Sequence, residues 1–382
     1  MSATATDEIT PFWIAVPDAD LADLRQRLLV ARWPDELPDV GWDYGIPLRE
    51  TQDLAAYWRD GYDWRAWEAR LNAFPQFQTV IDSQNVHFLH VRSPEPDALP
   101  LILTHGWPGS IVEFIDVIGP LTDPRAHGGD PRDAFHVVAP SIPGFTLSGH
   151  THGRGWDVHR IAQAWQVLMA RLGYTRYGAQ GGDWGSAISR DLGLVASEQV
   201  IGVHLNYLRI NPPAEAISLQ SGEAERVAKL QQYNASVPGY IGIQSTKPQT
   251  LAYGLTDSPT GQLAWIAEKF HAWSDPRTPI DRDHLLTNVS LYWFTRTAGS
   301  SARIYYESAR GRGTPNPCPV PMGVAVFPYD ILQPVRSFAE RVYDIRHWSE
   351  FDRGGHFAAL EAPDLLTEDM RAFFRLLRNP TA

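Results

Sequence analysis

Residues 181–185, Gly-Gly-Asp-Trp-Gly, have the form Gly-x-Nuc-x-Gly. In that motif a strand turns sharply into a helix and lifts one side chain above the sheet. Serine at the centre gives esterases and lipases; here the residue is Asp183. A carboxylate suits attack on an alkyl carbon, because it is already ionised at neutral pH and needs no base for that step. Serine would form an ether with such a carbon, which cannot be hydrolysed through a tetrahedral intermediate. Aspartate forms an ester, which can. A glycine-rich turn is equally compatible with a plain strand–helix junction, so the reading depends on partners elsewhere in the chain.

In this arrangement the acid and then the histidine follow the nucleophile in sequence. The stretch "VFPYDILQP" supplies Asp330 at the end of a strand, and "FDRGGHFAALEAPD" supplies His356 in a glycine-rich loop. The carboxyl ends of parallel strands are where such groups converge. His356 is therefore the candidate base, oriented by Asp330. Oxyanion donors should come from the loop after an earlier strand, and "LTHGWPGS" (residues 103–110) fits. The backbone N–H groups of Trp107 and Trp184 would face the Asp183 carbonyl, leaving His105 a structural role. His150 and His152 have no Cys, Asp or Glu at ligand spacing nearby, so no metal is expected. "GRGWD" lacks a phosphate-binding lysine, and no cofactor is expected.

Positioning these groups requires alternating strands and helices. Residues 10–95 read as helical and rich in tryptophan, with Leu21, Leu24, Leu28 and Val30 on one face behind aspartate caps. From "VHFLHV" onward, strands and helices alternate, including the amphipathic helix "WDVHRIAQAWQVLMARLGY". This predicts an α/β chain, a mostly parallel sheet with helices on both faces. Strand signal vanishes after Leu208 and returns at "MGVAVFP". The expected organisation is an N-terminal segment 1–95 packed on the core, a core of 96–207 and 314–382, and a helical cap of 208–313.

Composition bounds the partners. The 382 residues are 43% hydrophobic and 20% charged with a net charge of −11, which describes a soluble globular protein. The negative balance excludes nucleic acid and anionic membrane surfaces as partners. A single cysteine, Cys318, excludes an internal disulfide. No leader-like segment or 18-residue apolar run is present, so a cytoplasmic protein is expected.

The stretches "HGWPGS", "QGGDWGS", "GYIGIQSTKPQT", "SARIYYES" and "DRGGHFAALEAPD" together resemble the microsomal-type epoxide hydrolases of the α/β-hydrolase fold. The resemblance covers nearly the whole chain in order. Lacking an anchor helix, the chain resembles the soluble bacterial and fungal branch, of which some bacterial members act in antibiotic biosynthesis. The resemblance implies hydrolysis of an epoxide by water to a vicinal diol, with two cap tyrosines hydrogen-bonding the epoxide oxygen. Tyr240 matches the first. The pattern favours Tyr305 for the second, with Tyr306 adjoining. Neighbours on a helix point about 100° apart, so only one can face the site. Phe145, Ile243 and Trp293 are the expected pocket walls, and a homodimer is left open. A haloalkane dehalogenase would share the aspartyl ester, but its halide needs indole or amide donors rather than phenols. A non-catalytic binding protein of the same fold would be expected to lack part of the constellation.

Overall fold

The computed structural model describes residues 8–213, 219, 221–235, 238–311 and 317–378. Its strands are β1 (Thr10–Phe12), β2 (Gln76–Ile81), β3 (Gln84–Val91), β4 (Leu99–Thr104), β5 (Phe135–Pro140), β6 (Tyr177–Gly181), β7 (Val200–Leu205), β8 (Met322–Val326) and β9 (Ile345–Glu350). They form one nine-stranded sheet in the order β1-β2-β3-β5-β4-β6-β7-β8-β9. The pairings from β5 across to β9 are parallel, and those of β1, β2 and β3 are antiparallel. Strands β4 to β8 are short apolar runs buried almost throughout, as expected where helices cover both faces. The chain has the α/β-hydrolase fold.

The reading of residues 10–95 as helical needs correction. This segment does contain helices α1 (Asp18–Leu29), α2 (Leu48–Asp60) and α3 (Trp64–Asn72), but it also supplies β1 and β2 to the central sheet, beside β3, which holds the "VHFLHV" run read as a strand. Strands β2 and β3 form a hairpin whose turn residues, Asp82 and Ser83, both have positive φ. That mirror-image turn matches the right-handed twist of the strands. Two details of α1 also differ. Asp18 and Asp20 lie in its first turn rather than capping it, and Val30 is exposed beyond its end. Leu24 and Leu28 are buried as the periodicity predicts.

Helices α4 (Ile115–Thr122), α5 (Val158–Arg171) and α6 (Asp183–Val195) fill the crossovers of the core. The Asp157 side chain caps α5 by accepting from the Arg160 N–H at 2.9 Å, and Ile161, Trp165 and Leu168 are fully buried on one stripe. The insertion after β7 comprises α7 (Glu223–Ala235), α8 (Gly239–Thr246), α9 (Pro248–Asp257), α10 (Pro259–Ala272), α11 (Arg282–Thr295), α12 (Ala298–Ser301) and α13 (Arg303–Ser308). It contains no strand among the described residues, and the expected boundary at 313/314 lies outside them. The chain closes with α14 (Arg336–Ala339), α15 (Ala358–Glu361) and α16 (Pro363–Arg378).

The first segment fastens the insertion to the core. The Trp58 indole donates to Ser290 Oγ at 2.8 Å, Tyr57 donates to Asp283 at 2.8 Å, and the Tyr62 and Thr287 hydroxyls lie 2.8 Å apart. All three contacts join α2 or the turn after it to α11.

Candidate active site

Asp183 sits at the junction of β6 and α6 with φ of +48°. A non-glycine residue rarely adopts this conformation, which costs about 1–3 kcal/mol and is held by its surroundings. Two close approaches hold it. A Cβ on Gly185 would lie 1.8 Å from the Thr104 carbonyl oxygen, and one on Gly106 would lie 2.3 Å from Asp183 Oδ1. Glycine at both positions lets the loop after β4 close over the elbow.

That loop brings the Trp107 N–H to within 2.8 Å of Asp183 Oδ1, to which it donates. The Trp184 N–H lies in the first turn of α6, where backbone donors have no intrahelical acceptor. On the other side, His356 Nε2 is 3.3 Å from Asp183 Oδ2. Its Nδ1 is 2.6 Å from Asp330 Oδ1, which also accepts from the Ile331 N–H at 2.7 Å. Asp183 follows β6, Asp330 follows β8 and His356 follows β9, so the carboxyl ends of strands within one parallel stretch of the sheet deliver the candidate nucleophile, acid and base. Burial by itself would lower the His356 pKa, but the Asp330 and Asp183 carboxylates outweigh it and raise it to about 10. Burial raises the Asp330 carboxyl, and the imidazole opposes that shift.

The roof is aromatic. The Tyr240 ring stacks on Trp107, with centroids 5.4 Å apart and planes 10° apart, and also meets Trp273 at 5.4 Å. Tyr305 stands edge-on to Trp107 at 5.7 Å, to Trp184 at 4.7 Å and to Tyr240 at 5.9 Å. Tyr306 turns the other way and stacks under the Arg310 guanidinium, 3.7 Å from its ring centre. Burial holds the Tyr240 and Tyr305 phenols far above their ordinary pKa, with Asp183 adding to the effect, so both stay protonated.

The three expected pocket walls stand elsewhere. Phe145 has no exposed surface and packs edge-on under His105 at 5.5 Å. Ile243 is 42% exposed on α8, whose buried edge carries Tyr240 and Gln244 one turn apart. Trp293 lines an open cleft of about 520 Å³ with Asp20, Arg27 and Tyr253. Helical phase decides the last two: α8 has only eight residues, and α11 is buried on most of its circumference, so sequence periodicity does not show which face meets the site. His105 is structural, as expected. Its Nδ1 is 3.0 Å from the Gly106 carbonyl, the Ile142 N–H donates to its Nε2, and burial lowers its pKa to about 4.

The actual walls include residues that motif reading missed. Tyr207, two residues beyond β7, and Trp273, just beyond α10, pack edge-on against His356 at 5.4 and 5.2 Å. Tyr207 had a legible signal, since it follows a strand that ends beside the elbow. Glu113, three residues after "HGWPGS", tucks its carboxyl against Gly109 in the oxyanion loop, where burial raises it to about 8. No group of three or more His, Cys, Asp or Glu that could hold a metal occurs among the described residues.

Fold and site together define an α/β-hydrolase-fold enzyme with an aspartate at the nucleophile position. Residues 9–114 match the family described as epoxide hydrolase N terminus, and residues 100–238 match the alpha/beta hydrolase fold. A Stigmatella aurantiaca protein is 47% identical over 97% of this chain and 86% of its own length. Epoxide hydrolase 1 of Sus scrofa is 35% identical over 99% of this chain and 91% of its own. Among solved structures, Aspergillus niger epoxide hydrolase superposes with a TM-score of 0.87 at 33% identity, covering 98% of this chain and 97% of its own. The juvenile hormone epoxide hydrolase of Bombyx mori gives 0.89 at 29% identity, covering 98% and 96%. The chain belongs to the epoxide hydrolase family and is a hydrolase acting on epoxides. No helix of the described residues is long and apolar enough to cross a membrane.

Proposed function

We propose that the chain opens an epoxide to a vicinal diol through an alkyl ester on Asp183. One observation carries this reading: His356 lies between Asp183 and Asp330, and two buried phenols, Tyr240 and Tyr305, pack on Trp107, whose N–H meets Asp183. With Oδ1 held by the Trp107 N–H, Oδ2, which faces His356 Nε2 at 3.3 Å, is the attacking atom. It displaces the epoxide oxygen in line; the C–O bond breaks as the Asp183–carbon bond forms. The Tyr240 and Tyr305 hydroxyls donate to the leaving oxygen as its charge grows.

The electrostatics connect the two steps. At rest the imidazole is held protonated by two carboxylates. Esterification removes the Asp183 charge, so the His356 pKa falls. The proton it releases balances the one the alkoxide takes up, leaving neutral His356 beside the ester. Neutral His356 then takes a proton from water, and the hydroxide adds to the Asp183 carbonyl carbon. The oxyanion forms where Oδ1 already meets the Trp107 N–H, with the Trp184 N–H as a second donor. Collapse expels the diol oxygen, which takes the proton from His356, and the new Asp183 carboxyl returns its own proton to the imidazole, restoring the resting carboxylate–imidazolium pair.

His356→Ala tests this directly. It should still be alkylated by styrene oxide but not turn over, and mass spectrometry should find one added substrate mass on the peptide containing Asp183. In ¹⁸O water, the first diol released by the unaltered enzyme should be unlabelled. A fully labelled first-turnover diol would mean that water attacks the epoxide directly.

A further inference from the structure

We propose that Lys269 is a positioning residue for the ring-opening step: its ammonium, seated against the Tyr240 ring, makes that phenol a stronger donor to the leaving oxygen. The proposal rests on the reading of Tyr240 as a donor.

Lys269 lies on α10 and is only 8% exposed. Lysine is rarely buried, because the ammonium loses its hydration. Here the Nζ lies 4.8 Å from the Tyr240 ring centre and 5.6 Å from that of Trp265. Its carboxylate partner among the described residues is the adjacent Glu268. One turn further along, Trp273 packs on the same Tyr240 ring. The Trp265 indole donates to Gln244 Oε1 at 3.0 Å, and Gln244 is fully buried on the edge of α8 that carries Tyr240. Helix α10 and the residue that caps its C-terminal end thus present Trp265, Lys269 and Trp273, at i, i+4 and i+8, to the helix that bears the phenol.

Burial raises the Tyr240 phenol, as do Tyr305 on α13, Tyr233 on α7 and Asp183 at the elbow. Each weakens it as an acid, and a cation at the ring acts in the opposite direction. As the hydroxyl donates to a developing alkoxide, negative charge spreads into the ring. An ammonium on the ring stabilises that state more than the neutral phenol, so the effect appears in the transition state and not in substrate binding. Burial lowers the Lys269 pKa only to about 8, so the cation persists at pH 7.

A double-mutant cycle tests this. Alkylation and hydrolysis rate constants for styrene oxide would be read from tryptophan fluorescence in single turnovers, for the unaltered chain, Lys269→Met, Tyr240→Phe and the double variant. Lys269→Met should slow alkylation about 3- to 30-fold and leave hydrolysis within about twofold. Lys269→Arg, which keeps the cation, should recover most of the loss. In the Tyr240→Phe background, Lys269→Met should change alkylation little. An equal loss in both backgrounds, or failure of arginine to rescue, would make Lys269 a packing residue and overturn the proposal. So would wild-type alkylation by Lys269→Met when Tyr240→Phe is slow. Wild-type alkylation by Tyr240→Phe would instead remove Tyr240 as a donor, and the role of Lys269 with it. Lys269→Gln repeats the test should the methionine variant not fold.

Discussion

The Tyr305–Tyr306 pair shows how closely one side chain can resemble another in sequence while facing a different environment. Tyr305 is buried against Trp107 and Trp184, and Tyr306 lies under Arg310. Tyr305→Phe should therefore slow alkylation by about 10²- to 10³-fold, the usual cost of one donor to a developing charge. Tyr306→Phe should alkylate at the wild-type rate, and single-turnover kinetics distinguishes the two. Glu113 makes a different residue-scale prediction. Burial raises its carboxyl from 4.5 to about 8, so between those values the folded chain keeps a proton that the unfolded chain has lost. Stability should fall as pH rises through that window, by at most about 1.4 kcal/mol per pH unit. Glu113→Gln removes the contribution, so its melting temperature should gain on wild type from pH 5 to pH 8. Thermal melts across that range would show it, and parallel curves for the two chains would exclude Glu113 as the group.

At the scale of elements, the site depends on how closely the loop after β4 approaches the start of α6. Gly185 allows that approach because the Thr104 carbonyl occupies the space a Cβ would need. Gly185→Ala should cost about 3 kcal/mol or more, since backbone and not a flexible side chain must give way. Denaturant melts would measure it, and an alanine variant of unchanged midpoint would mean that the elbow packs less tightly than described. The Gly-x-Asp-x-Gly spacing made this junction readable in advance, and the order Asp183, Asp330, His356 made the triad readable too. The phase of α8 and α11 was not readable: Ile243 and Trp293 are apolar residues near motif residues, yet Ile243 is largely exposed and Trp293 lines the cleft shared with Asp20, Arg27 and Tyr253.

Across the whole molecule, the N-terminal segment is continuous with the core. It extends the sheet through the β3–β5 pairing and holds α11 through Tyr57, Trp58 and Tyr62. Arg70 of the same segment pairs with Asp116 on α4 at 2.6 Å, and His284 of α11 reaches the same carboxylate at 3.1 Å. Deleting residues 1–90 would bare the edge of β5 and the apolar faces beneath α2 and α3. The truncated chain should aggregate on expression. Soluble yield and sheet content by circular dichroism would test this, and a soluble, active truncation would show the segment to be dispensable.

The sequence by itself determined the candidate constellation: an aspartate at the elbow, the order in which an acid and a histidine follow it, and that strands and helices alternate around a helical insertion. Those features are local, written in turn residues, short apolar runs and spacing along the chain. The tertiary structure alone decided which tyrosine of an adjacent pair faces Asp183. It also decided that Trp273, Tyr207 and Lys269 surround the site, and that the otherwise helical segment ahead of β3 contributes two further strands, β1 and β2, to the sheet. These depend on contacts between distant segments, such as Trp273 with His356 and Val91 with Val137. A side chain's surroundings are set by whatever the fold brings opposite it, and spacing along the chain does not record that.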